Sequence, residues 1–200
     1  MKTKKIRIPF FILMAFLLNS CIIKSLQPFY IASSLYYEES LIGKWEDNKK
    51  GKWEVVSFLS EFKKKKEPKD DEDKKFIELY KNGYFIKYIE NEKEAVFVGM
   101  PFKIGSQLFI DFNLFSYDDD GLNNIVESNL LITHTVAKID ILTGKEVSIS
   151  WLDENKITSL IGKNQIQIKH EKVGIMENVV LTASSKELHK FLKKYVASNT

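Results

Sequence analysis

From Trp53 to Ala183 the chain breaks into short runs rich in β-branched and aromatic residues, separated at close intervals by Gly, Asn, Asp and Lys turn signals. A chain patterned in this way is committed to a mainly β, antiparallel architecture. The runs are 53–59, 76–80, 84–90, 94–102, 107–115, 133–142, 146–152, 165–170 and 178–183. Alternation is clean in several of them. Leu108, Ile110, Phe112 and Leu114 share one face of their strand, and Val147, Ile149 and Trp151 share a face with Ser148 and Ser150 opposite. Lys81-Asn82-Gly83 between the second and third runs predicts a hairpin turn, because Asn and Gly tolerate positive φ. This much strand predicts a meander that closes into a small barrel or a strongly curved sheet, closure being the way such a sheet loses its exposed edges.

Two helices interrupt the pattern. Asp153 can cap a short one near 153–161, with Ile157, Leu160 and Ile161 facing inward and Gly162 at its end. Ser184 and Glu187 form a capping box for a C-terminal amphipathic helix over 185–197, in which Leu188, Phe191, Leu192, Tyr195 and Val196 make one apolar stripe. Lys186, Lys190, Lys193 and Lys194 lie opposite, and a stripe of this width predicts packing on the domain's own sheet rather than on a membrane. Residues 63–75, KKKKEPKDDEDKK, carry their own neutralising acids and no aromatic for base stacking, so they read as a solvated loop and not as a nucleic-acid patch.

The N-terminus reads as an address. Lys2, Lys4, Lys5 and Arg7 precede an apolar run from Ile8 to Leu18, which falls short of the ~20 residues a membrane span needs and suits a signal-peptide core. It ends in Leu18, Asn19, Ser20 and Cys21, which resembles the lipobox of bacterial lipoproteins. That resemblance implies cleavage before Cys21, acylation of its sulfur and new amine, and anchoring in the cell envelope. Ile22, Ile23, Lys24 and Ser25 follow without an Asp, which points to the periplasmic face of the outer membrane. The expected organisation is a signal peptide over 1–20, a tether over 21–40 whose aromatics partly pack on the domain, and a β domain over 41–200. The formal charge of +3 belongs to the signal. Removing its four basic residues from the 30 leaves 26 against 27 acidic ones, so the mature chain's balance favours neither nucleic acid nor an anionic surface.

Little in the chain points to a reaction. Ser116 to Glu127 aligns with a calcium loop through Asp118, Asp120, Gly121 and Glu127, although Ser116 takes the first ligand position and a strand replaces the entering helix. The alternative is an acidic turn between strands. His134, His170 and His189 lack zinc-ligand spacing, and the only Cys is the lipobox one. Ser60 and Lys63 make an S-x-x-K without its partner motifs. No Arg remains after Arg7, which removes the usual bidentate clamp for carboxylate or phosphate. No cofactor and no enzymatic activity are expected.

Gly43-Lys44-Trp45, preceded by Leu41 and followed by a strand meander and a late helix, resembles the lipocalin and calycin pattern, in which G-x-W opens the first barrel strand. The chain also resembles uncharacterised Bacteroidota lipoproteins, through the lipobox Cys, Lys24 to Tyr30, Leu41 to Trp45 and Leu181 to Leu188. The lipoprotein likeness implies an address and a fold; the expected barrel would bind a small hydrophobic or amphipathic ligand at its mouth, with Trp45, Trp53, Phe97, Phe109 and Trp151 lining a cavity or filling a core. The competing expectation is a solid domain whose surface contacts an envelope protein.

Overall fold

Strand patterning of this kind produces one large sheet. The computed structural model describes residues 22–65, 70–118, 122–142 and 146–197. The strands are β1 (Lys24–Ser25), β2 (Gly43–Glu46), β3 (Lys52–Ser57), β4 (Tyr84–Glu90), β5 (Lys93–Ile104), β6 (Gln107–Tyr117), β7 (His134–Ile141), β8 (Val147–Trp151), β9 (His170–Val173) and β10 (Asn178–Leu181). The helices are α1 (Phe58–Lys65), α2 (Asp71–Tyr80), α3 (Asn124–Ser128), α4 (Glu154–Gly162) and α5 (Ser185–Ala197). The sheet runs β2-β3-β4-β5-β6-β7-β1-β10-β9, with β8 added to β7. From β2 to β7 it is the expected antiparallel meander.

The expected closure into a lipocalin-like barrel does not occur: β2 and β9 end the path without pairing. Its cause lies in the N-terminal segment. Ile22 bridges Asp153, and β1 inserts between β7, to which it is antiparallel, and β10, to which it is parallel. The late strands therefore extend the sheet through β1 rather than meeting β2. The segment expected as a tether over 21–40 is, from Ile22 onward, part of sheet and core. Ile23, Ser25 and Phe29 are fully buried, Ser25 Oγ donates to the Leu181 carbonyl at 3.2 Å, and Leu26 N donates to the same oxygen at 3.0 Å.

Four further expectations are corrected. Residues 76–80 are not a strand but the end of α2, and the charged run over 63–75 is helical on both sides of its undescribed residues, 66–69. Asp70 caps α2 by accepting from Asp73 N at 2.8 Å, three acids occupy its first turn, and Phe76 and Tyr80 fall one turn apart against Phe58. A helical spacing of aromatics with an acidic start outweighs the β-branched look of a five-residue run. Consequently Lys81-Asn82-Gly83 ends a helix instead of joining two strands, with Gly83 N donating to Tyr80 O at 2.7 Å. A side chain at Gly83 would meet Met100 Sδ at 2.6 Å, so close packing selects glycine there. Residues 165–169 are irregular, and β9 begins only at His170.

Both capped helices form as expected. Asp153 Oδ1 accepts from Asn155 N and Lys156 N, and Ser184 N and Oγ both donate to Glu187 Oε2. Leu188, Phe191 and Leu192 of α5 are buried in the core.

Two apolar clusters result, one on each face. Facing the helices, Val98, Met100, Phe102, Phe109 and Val136 pack with Phe29, Phe58, Ile157 and Leu188. On the opposite face Val55, Tyr84, Ile86, Ile110, Phe112 and Ile139 pack with Leu41, Trp45, Trp53, Phe97 and Trp151, with no α-helix among them. A bulge between Val96 and Phe97 bends the β5–β6 ladder.

Candidate functional site

Where α1 and α2 cross the sheet they leave a groove of about 900 Å³ over β3 to β6. Its apolar wall is Phe62 of α1, Phe76 of α2, Phe85 of β4 and Phe115 of β6, with Val56 and Val96 between them. Strand alternation accounts for the floor. Val56 pairs with Phe85, Lys87 with Val96 and Val96 with Ser116, so all point to the helix side. The helices are held by rings below the groove: Phe58 is fully buried, stacks on Phe85 at 4.8 Å between centroids and meets Phe76 edge-on at 5.5 Å. Phe115 meets Phe85 at 5.4 Å and is more than half exposed, so an apolar ring faces the open groove.

The rim is acidic. Glu54, Glu61, Asp73 and Glu94 line it together with Lys87. Lys87 pairs with Glu94 at 3.0 Å, Lys64 with Glu61 at 2.6 Å from the adjoining turn of α1, and Lys44 with Glu54 at 3.7 Å. Apolar walls below and carboxylates above suit an amphipathic molecule with a cationic end.

Beside this groove lies a buried polar cluster that the sequence did not reveal. Asp111, 1% exposed, accepts from Phe29 N at 2.8 Å through Oδ2 and lies 2.7 Å from His134 Nδ1 through Oδ1. Burial pushes the Asp111 carboxyl above the ordinary range, partly offset by its hydrogen bonds to His134 and Phe29. The Tyr30 and Tyr80 hydroxyls are also pushed up, by burial first and then by the Asp111 charge. His189 Nδ1 lies 3.3 Å from the Phe29 carbonyl, and burial pushes this imidazole down. Asp111 and His189 thus hold both backbone polar groups of Phe29 from elements 82 and 160 residues away. With Oδ2 seating the N-terminal segment and Oδ1 engaged by His134, Asp111 acts with His189 as a clamp rather than a base poised toward substrate.

The aromatic residues singled out from sequence divide. Trp45, Trp53, Phe97 and Trp151 come together on the helix-free face, where Trp45 pairs opposite Trp53 and Phe112 lies 5.0 Å from Trp151. They pack against a core. Phe109 lies on the opposite face, buried beside Phe102. Of the calcium alignment, Ser116 ends within β6, Asp118 N donates to the Glu94 carbonyl, and Glu127 sits on α3, whereas Asp120 and Gly121 lie outside the described residues. Among the described residues no three His, Cys, Asp or Glu side chains form a metal-binding group. Leu18, Asn19, Ser20 and Cys21 also lie outside them. Ser60, exposed on α1, donates through Oγ to the Ser57 carbonyl at the end of β3.

The groove's aromatics were legible only as part of a strand-and-loop reading. The pairs Phe58/Phe62 and Phe76/Tyr80, each one helical turn apart, were the signal that would have found them. Among the described residues no helix is long and apolar enough to cross a membrane. No known family, curated protein or solved structure matches the chain.

Proposed function

We propose that this is a lipid-anchored envelope protein that binds a small amphipathic ligand on the periplasmic side of the outer membrane. The single observation that carries the ligand reading is the groove of about 900 Å³, walled by four phenylalanines and rimmed by carboxylates. A chain bearing an apolar tail and a cationic head would lay its tail against Phe85 and Phe115 and its head among Glu54, Asp73 and Glu94. The anchor reading rests on the basic head, the short apolar core and the lipobox-like Leu18-Asn19-Ser20-Cys21. Its acyl chains would contribute about 0.8 kcal/mol per buried CH₂, enough with several chains for permanent attachment. The protein is a binder in this reading, with no cofactor and no reaction.

Titration of the full acylated protein with dodecyltrimethylammonium below its micelle concentration tests the site, with decanoate as the anionic counterpart. One cationic ligand per chain, bound more tightly than decanoate, is the expected result. Equal binding of both, or of neither, would sink the proposal. For the anchor, Cys21→Ala leaves the precursor uncleaved and unacylated; normal maturation of that variant overturns the lipoprotein reading.

A second reading is favoured by a separate observation. Leu122, Ile125, Val126, Leu130, Leu131 and Ile132 are all exposed, in and around α3. A contiguous apolar stretch of this kind suits contact with an envelope protein. Crosslinking from Leu131 in whole envelopes, with no protein captured, would remove that reading while leaving the groove untouched.

A further inference from the structure

The sheet's register brings the attachment point of the proposed lipid anchor to the same end of the molecule as an exposed apolar hairpin tip. Ile22 is already held by the fold: it bridges Asp153, the next residue's N–H donates to Leu152 O at 3.2 Å, and Ile23 is fully buried. Cys21 is one peptide further, and consecutive Cα atoms lie about 3.8 Å apart. No length of chain is left to hold the domain away from a bilayer.

β1 pairs in parallel with β10 at Lys24↔Val180, so the same register carried two residues back sets Ile22 level with Asn178. The turn joining β9 to β10, Gly174 to Glu177, therefore lies at the Ile22 end of the sheet. It presents Ile175 at 101% exposure and Met176 at 82%, with Val173 half exposed beside them. Turn tips ordinarily carry Gly, Asn, Asp or Ser, and two neighbouring large apolar side chains wholly in water gain nothing for a domain in solution. Below the tip, Lys172 and Glu177 close an ion pair at 2.7 Å across the hairpin, leaving the apolar pair to project beyond it. Because β7 runs antiparallel to β1 at Ser25↔His134, its far end, with exposed Ile141 and Leu142, lies beyond Ile22 in the same direction. The α3 region precedes β7 and so belongs to the opposite end.

We propose that the Val173–Met176 tip inserts into the leaflet that holds the acyl chains on Cys21, as a second membrane contact that fixes the orientation of the domain. Ile141 and Leu142 lie on the membrane side with it. The groove and the α3 surface are then presented by a domain held at two points rather than swinging on one. This inference rests on the lipoprotein reading. Its occupant is a phospholipid surface, since the anchor itself brings that surface to this end.

The test uses the mature acylated chain in vesicles of phosphatidylethanolamine and phosphatidylglycerol. An environment-sensitive thiol probe is placed by Met176→Cys and, as the opposite-end reference, by Leu131→Cys. Intact mass confirms acylation of each preparation. A tip seated at the headgroup and acyl boundary, about 5–10 Å deep, makes the probe at 176 emit blue-shifted and lose most of its intensity to doxyl-labelled lipid. The probe at 131 keeps its aqueous emission and is not quenched. Adding Ile175→Asp to Met176→Cys returns the tip probe to water without altering the far-UV spectrum. An aqueous, unquenched probe at 176 on acylated protein overturns the insertion and leaves the anchor standing. Absence of acylation in the mass fails the anchor reading, and the proposal with it. If 176 is aqueous in vesicles but shielded from thiol reagents in whole envelopes, a protein covers the tip and the proposal is likewise overturned.

Discussion

The two faces of the sheet use the same aromatic currency to different ends. On the helix-free face, Trp45, Trp53, Phe97 and Trp151 close against aliphatic residues of their own and neighbouring strands. On the other, Phe58, Phe62, Phe76 and Phe85 hold two short helices over the strands, and Phe62, Phe76 and Phe85 also wall a groove. Neighbouring strands sit about 4.8 Å apart and leave little between their side chains. A helix stands about 10 Å from what it packs on, so where its side chains do not fill that distance a cavity remains. Ligand capacity here follows from what covers the aromatics and not from how many there are.

Phe58→Ala gives the largest expected effect. Deleting a fully buried ring that touches Phe62, Phe76, Tyr80 and Phe85 costs about 3–5 kcal/mol, read from urea unfolding. All three Trp residues sit on the helix-free face, so tryptophan emission reports that face alone, whereas far-UV dichroism includes the helices. Both signals are expected to shift together, because β4 carries Phe85 on one face and Ile86 on the other. Separate transitions would show two independently folding faces and break the comparison.

Next is the clamp. Asp111→Ala orphans the buried Phe29 N–H and costs about 1–3 kcal/mol. Asp111→Asn keeps an acceptor and instead changes the pH dependence. Its folded carboxyl titrates above the ordinary 3.8, so between those values the native state binds more protons than the unfolded one. The wild type therefore loses stability from this group as pH rises from about 3.8 toward the raised value, and Asp111→Asn removes that decline. Urea midpoints across that range check the sign; an unchanged slope would show that Asp111 does not carry it.

On the helix-free face, Tyr84→Phe removes a hydroxyl that accepts from Glu38 N at 2.8 Å and donates to Glu38 O at 2.9 Å. The expected loss is about 1–2 kcal/mol by thermal unfolding, and the groove's affinity stays unchanged. Smallest for stability is Phe115→Ala, within about 0.5 kcal/mol because the ring is mostly exposed. It nonetheless weakens dodecyltrimethylammonium binding about tenfold, since it removes roughly 1.5 kcal/mol of apolar contact. Full affinity in that variant would place the ligand elsewhere.

The difference between the faces also sorts what could be read from residue order. Alternation in 107–115 and 146–152 grouped Leu108, Ile110 and Phe112, and Val147 and Trp151, which meet in the helix-free core, although Ile149 is exposed, and capping residues at Asp153 and Ser184 placed α4 and α5. Phe109 went to the wrong partner set because alternation fixes which residues share a face, not which face receives the helices. The groove stayed hidden because 76–80 is short enough to satisfy both periods, and only Asp70's cap with the ring contacts of Phe76 and Tyr80 decides for helix. Asp111 looked like one polar residue on a buried strand, since its partner, the Phe29 N–H, lies 82 residues away.

Sequence alone determined that the chain is mainly β, most of the strands of its meander, and where two capped helices begin. These are local properties, written in side-chain periodicity and in residues that satisfy nearby backbone groups. Tertiary structure decided that the sheet stays open, that residues following Cys21 form an internal strand, and that the Ile22 end faces the same way as Ile175 and Met176. A strand as short as Lys24–Ser25 has no period to read. Its place is set by hydrogen bonds that it can make only with β7 and β10, far along the chain, once they have folded beside it.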